Sequence, residues 1–412
     1  MNGDKPVDQT EILPLFPFDR PDDGPPREYE GFRKSGSLQK VRLPNGKAAW
    51  LATRYEDVRA LLADNRFSSD ARKEGYPQLS ASRPVVATTN AVLPINYTDQ
   101  PDHTRFRRAL MREFTLARVQ QLQPLIEGVI TGLIDRMLEH GAPVDLINEF
   151  ALPVPTTVIL KLLGIPYGDH AFFHERANRI IATDLDPALA MQAQEELRGR
   201  MLEFIREKEK NPQAHDDIIG RLAKDQIQTG NLSYEEACSL CQSLVIAGHE
   251  TTASTIALGT LSLLRNPGAF ERLRNDTSLK LVGQAVEEML RFWTIAHYIG
   301  MRVALEDVEF GGVTIKAGEG ILPQIMAANH DPEVFASPGK FDIERESRYP
   351  HVAFGFGIHQ CIGQQLSRME LRSVFTLLPK RIPTLRLAVP FEQLEFKHGG
   401  LAHGLRALPL TW

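Results

Sequence analysis

The chain has 412 residues, 42% hydrophobic and 24% charged, with a net charge of −5, so no global basic character points to nucleic acid or an anionic membrane. Three cysteines form an odd set without a disulfide framework, which predicts a reducing, cytoplasmic compartment. The first thirty residues are rich in Pro, Asp and Glu, unlike a signal peptide. The longest apolar stretches, 151–166 and 253–264, are interrupted short of the ~20 residues a membrane-spanning helix needs.

Residues 1–30 read as an extended segment. From 40 to 53 the pattern is a hairpin turning at Asn45-Gly46, a pair suited to the positive φ of a tight turn. Helical periodicity follows at 122–138 and 195–207. The most informative helix runs from 233 to 265: Ser233 and Glu236 form an S-x-x-E capping box, and Asn266-Pro267-Gly268 stops it. At 1.5 Å per residue it spans roughly 50 Å, and it is apolar on most faces, so it is expected to be central and buried. A second hairpin is centred on Gly311-Gly312, and short strands are expected beyond 385. The expectation is one mostly helical body over 31–412, with a smaller β-rich part near 38–54, 295–325 and 382–412.

The run from 351 to 371 reads HVAFGFGIHQCIGQQLSRMEL. Gly355 and Gly357 precede Cys361 and Gly363 follows it, so the backbone can turn sharply there. Helical spacing from Gly363 onward puts Cys361 at a helix N-terminus, where free N–H groups favour a thiolate. Phe354-x-x-Gly357-x-x-x-Cys361-x-Gly363 resembles the heme-binding loop of the cytochrome P-450 superfamily. A buried free cysteine is the bland alternative. Cys238 and Cys241 fit that reading, because no second pair completes a four-ligand zinc site.

A second segment interrupts the buried helix: Ala247-Gly248-His249-Glu250-Thr251-Thr252. A mid-helix glycine costs ~1 kcal/mol against alanine, and a buried carboxylate costs far more unless hydrogen-bonded. Thr251 can bond back to the carbonyl of Ala247. The segment is similar to the family's A-G-x-(D/E)-T-T groove. The resemblance implies that Ala247 and Gly248 lie against the heme and that Glu250 and Thr251 are catalytic, supplying protons to dioxygen.

Glu288-x-x-Arg291 places both side chains on one helix face and resembles the family's structural pair beneath the heme. The third, basic member stays open between Lys340, in Pro338-Gly339-Lys340-Phe341, and Arg345. His103-Thr-Arg-Phe-Arg107, Arg302 and His359 match the family's propionate-binding positions, and Phe354 and Gly355 complete the implied cofactor contacts. The resemblance runs from about residue 40 to 412.

The implied fold is mainly α with a smaller β-rich part: the P-450 triangular prism, with heme b between the long helix and the cysteine loop. The implied activity is a heme-thiolate monooxygenase of the soluble bacterial branch, combining dioxygen with a hydrophobic small molecule, in many such enzymes a secondary metabolite. No flavin or nicotinamide domain and no Gly-x-Gly-x-x-Gly are present, so electrons are expected from a separate ferredoxin and its reductase. No nucleic acid, no membrane and a monomer are expected. The pocket is expected to draw on 84–98, 172–191, 245–251, 295–299 and 400–403. Two rivals stand beside this reading. One is heme-thiolate chemistry of another kind, since 149–155 also resembles the nitric-oxide-reducing branch and a peroxygenase uses the same ligand. The other is a non-enzymatic heme sensor. Glu250-Thr251-Thr252 favours oxygen chemistry.

Overall fold

The computed structural model describes residues 13–36, 38–79, 92–181, 186–296, 298–397 and 402–412. Its longer helices are α1 (Glu28–Ser35), α2 (Tyr55–Ala63), α3 (Asp102–Met111), α4 (Gln123–His140), α5 (Pro153–Leu163), α6 (His170–Ile181), α7 (Pro187–Glu209), α8 (Tyr234–Arg265), α9 (Pro267–Asn275), α10 (Lys280–Trp293) and α11 (Gln364–Arg381). The strands are β1 (Leu38–Arg42), β2 (Ala48–Ala52), β3 (Phe67–Ser68), β4 (Val144–Asp145), β5 (Arg302–Ala304), β6 (Val308–Phe310), β7 (Val313–Ile315), β8 (Gly320–Pro323), β9 (Arg386–Leu387) and β10 (Pro409–Thr411). The mainly helical fold with a smaller β part is as expected.

The strands form small sheets from distant pieces of chain. A five-stranded sheet has the order β1-β2-β8-β5-β3, a three-stranded one β4-β10-β9, and β6 pairs with β7 alone. The first hairpin runs from Leu38↔Ala52 to Arg42↔Ala48. Its turn closes where the Leu43 N–H donates to the Lys47 carbonyl at 2.8 Å, and Gly46 takes φ 82°. Gly311 and Gly312 both have positive φ between β6 and β7, as a two-residue hairpin turn demands.

Helix α8 is the axis of the molecule. Its capping box forms at Ser233 and Glu236, and it stays helical for 32 residues. Its side chains are buried nearly all round, because α5, α7, α10 and α11 pack on it. A Cβ at Gly259 would meet Met289 Sδ and Phe375 Cζ at 2.7 Å each, so α8, α10 and α11 approach where α8 has no side chain. Helix α7 starts eight residues before the pattern at 195. Pro187 occupies its first turn and the Asp186 side chain accepts from Ala188 N–H, a start signal that the periodicity did not reach.

Candidate active site

A cavity of about 1200 Å³ lies between α8 and the loop that leads into α11. That exceeds the ~300–1,000 Å³ of an ordinary small-ligand pocket and leaves room for a cofactor and a substrate together. The loop wall is built by two glycines. Gly355 and Gly357 both take φ 72°. A Cβ at Gly357 would also collide with the Leu62 carbonyl oxygen of α2. This turn brings Cys361 N–H to the Phe354 carbonyl at 2.9 Å and presents the Cys361 sulfur to the cavity interior.

The pull of the helix start on Cys361 is present but opposed. Burial pushes its thiol up, against the Gly363 N–H, Arg107 and Arg368, which favour the thiolate. A metal cation would favour the thiolate further, since a coordinating thiol is deprotonated outright. Cys238 and Cys241 lie buried in α8, and burial pushes both thiols up, Cys238 to about 12. Among the described residues no group of three or more His, Cys, Asp or Glu could hold a metal ion.

The opposite wall is the middle of α8. Ala247, Gly248 and Thr251 face the cavity, and Thr251 Oγ1 donates to the Ala247 carbonyl at 2.8 Å. Thr252 also borders the cavity, but it is buried and its Oγ1 lies 3.3 Å from Ser367 Oγ on α11. Glu250 is 8% exposed. Its Oε1 accepts from Lys397 Nζ at 2.6 Å and from Ser254 Oγ at 3.4 Å. The carboxylate is therefore offset by a cation rather than open to water, and the Lys397 side chain, one-third exposed, is its link to solvent. Nothing in the sequence marked Lys397, which lies 147 positions away.

His249 points to the far side of α8, fully buried, with its ring centre 4.9 Å from that of His174. Burial above all lowers its pKa to about 3, and burial lowers that of His330 likewise to about 3. The unfolded chain thus binds protons that the folded one refuses. Stability should rise with pH through the window from about 3 to 6.5 and be lost as pH falls below 6.5. The slope is about 1.4 kcal/mol per pH unit for each histidine. Urea midpoints across that window should show it, and His249→Gln should flatten the slope by about one proton. An unchanged slope would refute the assignment.

At one edge of the cavity His103, Arg107, Arg302 and His359 gather. The His103 and His359 ring centres are 4.1 Å apart, and His359 Nε2 lies 3.0 Å from Ser69 Oγ. Burial first, then the neighbouring guanidinium groups, lowers His103 to about 4; for His359 burial, Arg302, His103 and Arg107 lower it to about 2. Arg302 is 3% exposed and donates to the Met301 carbonyl at 2.9 Å. Among the described residues no carboxylate forms a salt bridge with Arg107 or Arg302, and His103 Nδ1 is buried without a partner. This donor set fits the two carboxylates of a heme.

Beneath the loop wall, Glu288 and Arg291 form a buried bidentate pair at 2.7 and 2.9 Å. The open third position is resolved: Arg345 Nε donates to Glu288 Oε2 at 2.9 Å, while Lys340 is exposed, its nearest carboxylate being Asp342 at 3.8 Å. Arg291 also donates to the Asn329 carbonyl and Glu288 accepts from Asp342 N–H. Of the expected pocket segments, Tyr97, Asn178, Ile299 and Ala402 do line the cavity. Residues 84–91, 182–185, 297, 400 and 401 lie outside the described residues.

The model of the Cytochrome P450 family matches residues 30–381. The chain is 42% identical over 400 residues to Cytochrome P450-SU2 of Streptomyces griseolus, covering 97% of this chain and 95% of that protein. It is 40% identical over 409 residues to the Vitamin D3 dihydroxylase of the same organism, covering 98% of each. The crystal structure of mycinamicin VIII C21 methyl hydroxylase from Micromonospora griseorubida, bound to mycinamicin VIII, superposes with a TM-score of 0.90 at 35% identity, covering 97% of this chain and all of that one. No helix of the described residues is long and apolar enough to cross a membrane.

Proposed function

The chain belongs to the cytochrome P450 family, whose cofactor is heme b, and we propose that it is a monooxygenase inserting one oxygen atom from dioxygen into a bulky hydrophobic natural product, by hydroxylation or epoxidation. The observation that carries this reading is the placement of Cys361 on one wall of the cavity and of Thr251, with Glu250 beside it, on the other. When bound, the heme supplies reductive activation of dioxygen, taking two electrons and two protons, with one oxygen passing to the substrate and the other to water. Cys361 would ligate its iron and donate electron density to it. His103, Arg107, Arg302 and His359 would hold its propionates, with Phe354, Gly355, Ala247 and Gly248 in contact with it.

Protons have a route in this reading. The Lys397 side chain is one-third exposed to solvent, and its Nζ meets Glu250 Oε1. Glu250 can take a proton from it and pass it into the cavity, and the Thr251 hydroxyl orients the final donor. The 1200 Å³ cavity and its mixed lining support a large, mostly apolar substrate. The relatives named for vitamin D3 and mycinamicin VIII support the same class. A library of such compounds, screened by the heme spectral shift on binding and then for oxygenated product, tests the proposal. Binders that never yield oxygenated product, with rapid nitric oxide consumption on NADH alone, would overturn it.

A ferredoxin with its reductase is the proposed electron source, docking on a monomer in the cytoplasm. Arg112 contacts Asp225, and Arg368 is held by Glu287, so these two charges are partly cancelled. Arg108 and Arg372 are also exposed, and the carboxylate that Arg372 faces, Glu287, is 4.0 Å away. Charge reversal at either should slow reduction, and rising salt should slow the parent too. A reduction rate indifferent to both would exclude this face.

A further inference from the structure

Glu287 lies one residue before the structural Glu288, so it points about 100° further round α10 and grips a different piece of chain. Its carboxylate accepts Arg368 in bidentate form, Nε at 2.7 Å and Nη2 at 3.0 Å. His351 Nε2 lies 3.0 Å from the same carboxylate. Because His351 Nδ1 accepts from Ala353 N–H at 3.2 Å, the Nε2 nitrogen is assigned the hydrogen that it donates to Glu287. His351 opens the loop bearing Cys361, and Arg368 stands on the helix that follows it. One carboxylate thus ties both flanks of that loop.

Arg368 does more than anchor. Its guanidinium lies 4.6 Å from the centre of the Phe354 ring, its Nη1 donates to Gln364 Oε1 at 2.9 Å, and the Phe354 carbonyl accepts the Cys361 N–H. The cationic groups whose charge acts on the Cys361 sulfur are Arg107 and Arg368. Of these, Arg368 carries a counter-charge at contact distance, in Glu287, with Arg372 a weaker second partner of that carboxylate at 4.0 Å.

We propose that Glu287 is a positioning residue for Cys361: it holds Arg368 against Phe354, partly cancels its charge, and so sets the positive potential at the sulfur and the reduction potential of the iron that this sulfur ligates. The proposal rests on Cys361 being the ligand. The reduced centre carries one more negative charge than the oxidised one, so a nearby cation favours reduction and a nearby anion opposes it. The two partners of one ion pair therefore have opposite signs of effect. A clamp that acted only by holding the loop in place would give both losses the same sign.

The test uses the holoprotein and its Glu287→Gln and Arg368→Met variants, read by redox titration of protein that keeps the thiolate band of the reduced carbon-monoxide complex. Glu287→Gln should shift the midpoint potential upward and Arg368→Met downward. Shifts of the same sign, or none, would overturn the proposal. If Glu287→Gln loses the band, Arg368→Met and the charge-keeping Arg368→Lys decide: methionine should lower the potential and lysine should leave it near the parent's, and equal shifts would overturn the idea. A parent protein without any thiolate band would instead bring down the assignment of Cys361 and this proposal together.

Discussion

Cys361→Ala is expected to abolish the thiolate absorption of the reduced carbon-monoxide complex and all turnover, while the double replacement of Cys238 and Cys241 by alanine leaves both intact. The contrast follows from position. Cys361 meets the cavity at the end of a loop whose glycines allow its approach, whereas Cys238 borders the cavity from within a regular helix. Cys238 and Cys241 are buried in α8, with thiols that burial pushes up, and neither has a loop to turn its sulfur toward a ligand. Alanine at 361 keeps the loop backbone and removes only the donor atom. Loss of the band in the double variant, or its survival in Cys361→Ala, would reverse the ligand assignment.

Thr251→Ala should separate electron consumption from product formation. The substitution leaves α8 helical and in fact removes a side chain that competes for the Ala247 carbonyl. Substrate binding and electron uptake should stay near the parent's. Product per electron pair should fall about tenfold or more, short of the full ~10²–10⁴ that a positioned proton donor contributes, and the missing electrons should appear as hydrogen peroxide. Glu250→Gln should act differently and slow the whole cycle, because an amide cannot relay a proton. Lys397→Met should resemble it, since it leaves the Glu250 carboxylate without its cation and its path to solvent. Thr252→Ala should change coupling little, its hydroxyl being turned to Ser367. Parent-like coupling in Thr251→Ala would refute the reading of the groove.

What the sequence made legible was whatever depends on local spacing. The capping box at Ser233, the glycine pair at 311–312, the loop around Cys361 and the Glu288–Arg291 pair are encoded within a few residues of themselves, and their geometry is as expected. Lys397, Arg345 and Glu287 were illegible or ambiguous for the opposite reason. Each meets its partner across a long stretch of chain, 147 residues for Lys397 with Glu250 and 57 for Arg345 with Glu288. A charged residue gives no local sign of so distant a partner, whether in a loop, as Lys397 and Arg345 are, or on a helix, as Glu287 is. The setting of Cys361 was half legible: the helix start could be read, but the surroundings that oppose it are a property of the packed molecule.

The close approach of three helices at Gly259 bears on how such a molecule can change over time. The groove on α8 and the start of α11 at the cysteine loop are set at a fixed spacing by packing behind them, where Met289 and Phe375 occupy the space a side chain at 259 would need. The pocket segments near Tyr97, Asn178 and Ile299 lie on other pieces of chain. Chemistry and recognition are thus carried by separate mechanical parts. Drift in the recognition segments can exchange one substrate for another while the reacting groups stay in register, whereas a single methyl group at Gly259 would overpack the joint at about 1–3 kcal/mol and disturb every substrate alike.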